Sequence, residues 1–297
     1  MKTFLYPLEL KLKYFKYYKS YNRKRKDLGY TPIILSALET LDYILKNKCS
    51  VSRYGDGEFN IIREIGNGFC AYHPFLSQKL QEVLTMQIPN HIVCIPKAIF
   101  CQENLIFQQK VFWRAYFCKA YKILKKNLKK QYTYYDASFT RFYLPYKNKD
   151  ICKEYIQKIK KIWDRQEIIL IEGEYSRLGV NNDLFSNVRS LQRILCPSSD
   201  AYTKYQDILE QAVKLGKNKL VLLALGQTAT CLAYDLTKLG LWAIDIGHID
   251  IEYEWFRCNA KHKIKIQGKH VNEVGYLPCE ETFQNTMYEN QIVVRLL

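Results

Sequence analysis

From residue 167 onward, short apolar runs alternate with amphipathic ones, and this alternation constrains the fold more than any other feature of the chain. Residues 167–174 (EIILIEGE) are strand-like. Residues 183–195 (DLFSNVRSLQRIL) and 201–216 (AYTKYQDILEQAVKLG) carry helical spacing. Residues 219–226 (KLVLLALG) form a strand, 229–240 (ATCLAYDLTKLG) a helix ending on glycine, and 241–247 (LWAIDIG) a strand again. Strands alternating with helices predict parallel βαβ units. Apolar runs without polar alternation predict strands covered on both sides. The expected fold is α/β and Rossmann-like: a mostly parallel sheet with helices on both faces. In such sheets ligands bind beyond the carboxyl ends of the strands, so the loops that follow strands are where functional residues are to be sought.

The first half reads less regularly. Residues 34–47 have helical spacing, with Ser36 placed to cap and Glu39 three residues on, a capping-box pattern. Cys49–Arg53 reads as a short strand broken by Gly55 and Gly57. A helix is expected over residues 75–87 and a strand running into a loop over 91–100. Two basic helices are expected at 107–130 and 149–165. Residues 1–30 are basic and tyrosine-rich, an amphipathic helix that either packs on the body or lies on an anionic membrane surface. The expected organisation is a basic aromatic extension, 1–33, and a single domain, 34–297.

The formal net charge of +16 implies an anionic partner: nucleic acid, an anionic membrane or a phosphorylated substrate. The charge is concentrated. Residues 1–30 hold nine Lys/Arg against Glu9 and Asp27, and residues 110–130 hold eight with no acid. No nucleic-acid-binding motif is present, so no nucleic acid is expected. The ten cysteines form no CxxC pair and read as free, mostly buried thiols of a reducing compartment. No apolar run approaches the ~20 residues needed to span a bilayer, and the N-terminus lacks a signal-peptide pattern. The expected location is cytoplasmic, peripheral at the inner membrane face where lipid is involved.

Four loops are polar and glycine-punctuated. In Arg53-Tyr54-Gly55-Asp56-Gly57-Glu58, two carboxylates at i and i+2 can reach one hard cation, and Arg53 suits a phosphate oxygen. In the loop from Glu172 to Asp183, Arg177 can meet a diphosphate, and Asn182 and Asp183 either cap a following helix or hold sugar hydroxyls. Gly226 to Thr230 opens a helix, where free N–H groups attract phosphate; Gly226 and Thr228 are the candidates. From Asp245 to Trp255, alternation in an extended segment would put Asp250, Glu252 and Glu254 on one side, each a candidate base beside His248.

These four motifs, in this order, resemble the GT-D-type glycosyltransferase domain, a bacterial family once of unknown function. The resemblance runs from about Ile34 to about Val274. It implies a Rossmann-like enzyme that moves sugar from a UDP-sugar donor to a glycan, glycoprotein or glycolipid acceptor, with Mn²⁺ or Mg²⁺ as cofactor. An Asp-x-Glu motif stands where other glycosyltransferases carry Asp-x-Asp, so the resemblance puts metal binding on Asp56 and Glu58. The reading of the loops puts the donor on Arg53, Tyr54, Gly55, Arg177, Asn182, Asp183, Gly226 and Thr228, and the resemblance, matching the family's terminal acidic segment to His248–Glu254, puts the base on Glu254, Asp250, Glu252 or His248. The alternatives are a nucleotide-sugar-binding protein without transfer activity and a basic nucleic-acid-binding protein.

Overall fold

The computed structural model describes residues 2–270, 272–274 and 284–297. Cys279 lies outside them. A long helix, α1 (Lys2–Leu28), leads into β1 (Ile33–Ile34), α2 (Ala37–Asn47), β2 (Ser50–Arg53), α3 (Asp56–Ile62), α4 (Pro74–Thr85) and β3 (His91–Ile95). There follow α5 (Phe107–Asn127), β4 (Thr133–Asp136), α6 (Cys152–Ile162), β5 (Glu167–Gly173) and β6 (Ser190–Cys196). The chain closes with α7 (Tyr205–Gly216), β7 (Leu220–Ala224), α8 (Gln227–Lys238), β8 (Trp242–Asp245), α9 (Ile249–Arg257), α10 (Thr286–Gln291) and β9 (Ile292–Arg295).

The strands form one sheet in the order β1-β4-β3-β2-β8-β7-β5-β6-β9, and each pairing is parallel. Alternate residues of each central strand feed opposite cores, because successive side chains leave a strand on opposite faces. Ile168, Leu170, Leu220 and Leu222 join Val51, Cys94 and Trp255 on the side of α2, α6 and α9. Ile169, Ile171, Val221 and Leu223 pack under α7 and α8, and Val93 and Ile95 under α4 and α5. The two-sided cover explains the unbroken apolar strands. The Ser36 cap forms as its sequence predicts: Ser36 Oγ accepts from the Glu39 amide and Glu39 Oε2 from the Ser36 amide. The N-terminal helix packs along α5, with Tyr21 and Leu28 in the core. Among the nine described cysteines no disulfide forms, and all but Cys101 and Cys258 are buried.

Two expectations are corrected. Residues 183–195 do not form a helix. The segment turns through Ser186 and then pairs as β6 along the whole of β5. Leu, Gln and Arg tolerate a helix, but here tertiary pairing decides. Arg193 is buried and its guanidinium pairs with Glu172 of β5, donates to Leu178 O at 2.9 Å and meets Gln291 Oε1 at 2.8 Å. The second is the acidic segment 249–257, which is not extended but helical, so its carboxylates distribute at 100° per residue rather than alternating.

Candidate active site

The carboxyl ends of the strands open onto one cleft of about 1020 Å³. Its centre lies where β2 and β8 meet. From β2 the chain runs outward to β3 and β4, whereas β8 arrives from the β7 side, so this is the switch point at which doubly wound sheets bind ligands. Arg53 ends β2 and Asp245 ends β8, and their side chains pair at 3.3 Å. The guanidinium also donates from Nε to Ala137 O beyond β4, at 3.2 Å. Thr230 Oγ1 donates to Arg53 O at 2.7 Å and lies 3.3 Å from Asp245 Oδ2. Gly247 adopts φ +45, and a Cβ there would overlap Arg53 Nη1. Burial raises the Asp245 pKa against the pull of Arg53. The arrangement is a pre-set cation at the cleft floor.

Beside it, α3 starts at Asp56. Gly55 is its N-cap, and Glu58 Oε2 accepts from the Gly55 amide at 2.5 Å. Burial pushes the Glu58 pKa up to about 7. Residues i and i+2 on one helical turn point apart. Glu58 therefore turns inward to the cap, while Asp56 faces the cleft, where no side chain among the described residues bonds its carboxylate. Both residues line the cleft, with one Glu58 oxygen held on the Gly55 amide and Asp56 without a side-chain partner among the described residues. Among the described residues no three His, Cys, Asp or Glu side chains cluster as metal ligands. An open carboxylate next to an arginine does fit a hard cation that keeps most of its shell from a bound diphosphate and water.

On α9, Asp250 and Glu254 share a face and Glu252 takes the opposite one. Lys269, only 3% exposed, bridges Asp250 Oδ2 at 2.7 Å and Glu254 Oε1 at 2.9 Å. Asn182 Nδ2 donates to both carboxylates, at 2.8 and 2.7 Å, and the Gly179 amide donates to Asp250 at 2.8 Å. Glu252 accepts from the Tyr143 and Leu144 amides at 3.0 and 3.1 Å. Arg141 pairs with Glu273 and stands 3.8 Å from Glu252. His248 Nε2 lies 3.7 Å from Glu273 at the cleft wall. Desolvation first, and then the Arg141 charge, hold the His248 pKa below its usual value, an effect tempered by a side chain that stays 39% exposed at the cleft wall.

A model of the glycosyltransferase GT-D fold family matches residues 51–274. The chain belongs to that family. Among curated relatives, a probable glycosyl transferase, Gly, of Streptococcus gordonii is 36% identical over 275 residues, covering 89% of this chain and 39% of its own. Glycosyltransferase GlyD of Streptococcus pneumoniae is 32% identical, over 87% of this chain and 32% of its own. The chain thus spans between about a third and two fifths of the relatives it matches. Of solved structures, a selenomethionine-substituted domain of unknown function 1792 superposes with TM-score 0.89 at 33% identity, over 93% of this chain and all of that one. A structure described as a new glycosyltransferase of that domain type, from Streptococcus sanguinis, superposes with TM-score 0.86 at 34% identity, over 90% of this chain and all of that one. The chain has the GT-D fold.

In this GT-D domain Arg53, Tyr54, Gly55, Asp56, Glu58, Gly226, His248, Asp250 and Glu252 line the cleft. Of these, Tyr54 is buried in the core and its hydroxyl donates to Leu80 O at 2.6 Å. Other candidates are placed elsewhere. Thr228 is buried inside α8. Arg177 donates to Gly268 O at 2.7 Å and so anchors the 261–270 loop. With no helix after the β5 loop, Asp183 caps nothing. It faces outward to Lys160 at 2.8 Å, whose hydrogen bond lowers its pKa to about 2. Asp245, Thr230, Arg141 and Lys269 were not singled out from sequence. Of these, Thr230 had a signal: it follows Thr228 by two in the first turn of a helix fed by a buried strand, which turns one of the pair back toward the sheet.

Proposed function

We propose that this domain transfers a sugar from a UDP-sugar to a glycan, glycoprotein or glycolipid acceptor, with Mn²⁺ or Mg²⁺ at Asp56. The observation that carries the reading is the fixed Arg53–Asp245 pair at the switch point with the open Asp56 carboxylate beside it. A metal-bridged diphosphate is served by a cation and a metal-binding carboxylate at one place. Bound there, the metal would offset charge growing on the leaving phosphate. Arg53 adds a donor that does not have to reorganise during the reaction. Glu58 serves this site indirectly, by fixing the turn from which Asp56 projects.

For an inverting transfer the base moves from Glu254 to His248. Asp250, Glu252 and Glu254 are committed to Lys269, Asn182, Arg141 and backbone amides, whereas His248 presents a neutral ring at the cleft. A bound diphosphate would raise the His248 pKa by countering Arg141, Arg53 and Lys263, the charges that depress it.

The outer face of α1 supports a peripheral role at an anionic membrane. Leu8, Leu12 and Phe15 lie one helical turn apart and are exposed, Leu12 at 61% and Phe15 at 68%. Lys11, Lys16 and Lys19 flank them, and Leu10 and Lys13 of the same helix reach the cleft. Apolar side chains rimmed by lysines suit the headgroup layer of anionic lipid. Among the described residues no helix is long and apolar enough to cross a membrane.

The test is release of nucleotide from a panel of UDP-, GDP- and dTDP-sugars with and without Mn²⁺. Metal-dependent UDP release that Asp56→Ala abolishes is the expected outcome. Turnover that ignores both metal and the substitution would remove Asp56 from the site.

A further inference from the structure

The structure assigns a ligand-binding role to Gln227, and it makes Gly57 the residue that holds the Gln227 amide in place. Gln227 opens α8, lines the cleft and is 6% exposed. Its Oε1 is buried and makes no hydrogen bond. A buried carbonyl left unpaired is costly, so a conformation that keeps it so needs a reason. Rotating the amide by 180° would bury two unpaired N–H donors in place of one acceptor, which fixes the NH₂ at the outer end.

That outer end lies against Gly57, the second residue of α3, which also lines the cleft. Gln227 Nε2 fills the space a Gly57 Cβ would take. Gly57 has an ordinary negative φ, and glycine inside a helix is less stable than alanine. Backbone freedom therefore does not explain the glycine. The approach of the amide does. The NH₂ is thus held against Gly57, at the N-terminus of α8 on the cleft wall, where its donors can meet an oxygen of the ligand. This rests on the nucleotide-sugar reading above. The oxygen belongs either to the diphosphate or to a sugar hydroxyl.

The experiment is calorimetric titration of UDP and of the turned-over UDP-sugar, with Mg²⁺, into wild type, Gln227→Ala, Gln227→Glu, Gly57→Ala and the Gly57→Ala/Gln227→Ala pair. Gln227→Ala should weaken binding about tenfold, as loss of one or two hydrogen bonds to a charged or polar ligand does. Gln227→Glu, with a carboxylate in place of the NH₂, should weaken it further. Gly57→Ala should melt no lower than wild type yet bind more weakly. The pair should bind no worse than Gln227→Ala alone, because both changes remove one contact. Equal losses for UDP and UDP-sugar place the contact on the diphosphate, and a loss confined to UDP-sugar places it on the sugar. If wild type binds nucleotide and Gln227→Ala binds equally well, or if the two substitutions add, the assignment to Gln227 is overturned while the donor reading stands. If wild type binds no nucleotide, both fall.

Discussion

At the scale of single residues, the Asp-x-Glu motif divides into two jobs. Glu58 sits at N3 of α3 and is spent on the Gly55 amide, so glutamine, which also closes a capping box, can replace it. Its folded pKa, about 7, is above the ordinary 4.5 because burial disfavours the charge. A raised folded pKa means stability that is full below about 4.5 and is lost as pH rises through about 7. Over that window the loss is on the order of 3 kcal/mol. Glu58→Gln should therefore melt close to wild type at pH 5 and above it at pH 8, measured by thermal denaturation at both. A constant difference between the two proteins across pH would remove the buried-carboxyl account. His248 is tested by kinetics. His248→Ala should lower kcat by at least about 100-fold with KM little changed, as expected for loss of a general base. A change confined to KM would make it a binding residue.

At the scale of elements, the cleft wall is held by cross-element networks rather than by any one segment. Lys269 joins α9 to the 261–270 loop through two carboxylates, and Asn182 brings the β5–β6 loop to the same pair. Removing one partner of a buried ionic group leaves the others uncompensated, at a cost of about 3–5 kcal/mol. Lys269→Ala should lower the urea midpoint accordingly, whereas Lys263→Ala, at a half-exposed position on the same loop, should change it little. Equal effects of the two would deny the network its structural role. The composition of α9 shows why the acidic segment suggests a strand yet folds as a helix. Hydrophobic and acidic residues alternate over Ile249–Glu254, a pattern that suits a strand, but Gly247 turns the chain and burial on every side of α9 lets apolar residues appear all round it.

At the scale of the whole molecule, the charge of +16 gathers on α1 and α5, while the cleft lining balances its Lys and Arg side chains with an equal number of carboxylates, and α1 carries a lysine-rimmed apolar face. Leu12→Glu with Phe15→Glu should reduce co-sedimentation with phosphatidylglycerol vesicles at least tenfold and leave the melting temperature unchanged, since both side chains are exposed. Wild-type binding should weaken with added salt, because the lysines act through screened charge. Equal sedimentation with neutral phosphatidylcholine, or a dimer held by this face on gel filtration, would replace the anionic surface with another occupant. The sequence by itself determined the α/β class, the βα rhythm from β7 to β8, the Ser36 cap and the loops holding Arg53, Asp56, Gly226 and His248, because apolar period and glycine punctuation are local signals. Only the tertiary structure decided that 190–196 is a strand, that Glu58 caps while Asp56 stays open, that Glu254 is neutralised by Lys269 and that Gln227 rests on Gly57. Each of these depends on partners far along the chain, and a buried pairing that forms only on folding leaves no periodic trace in the residues that make it.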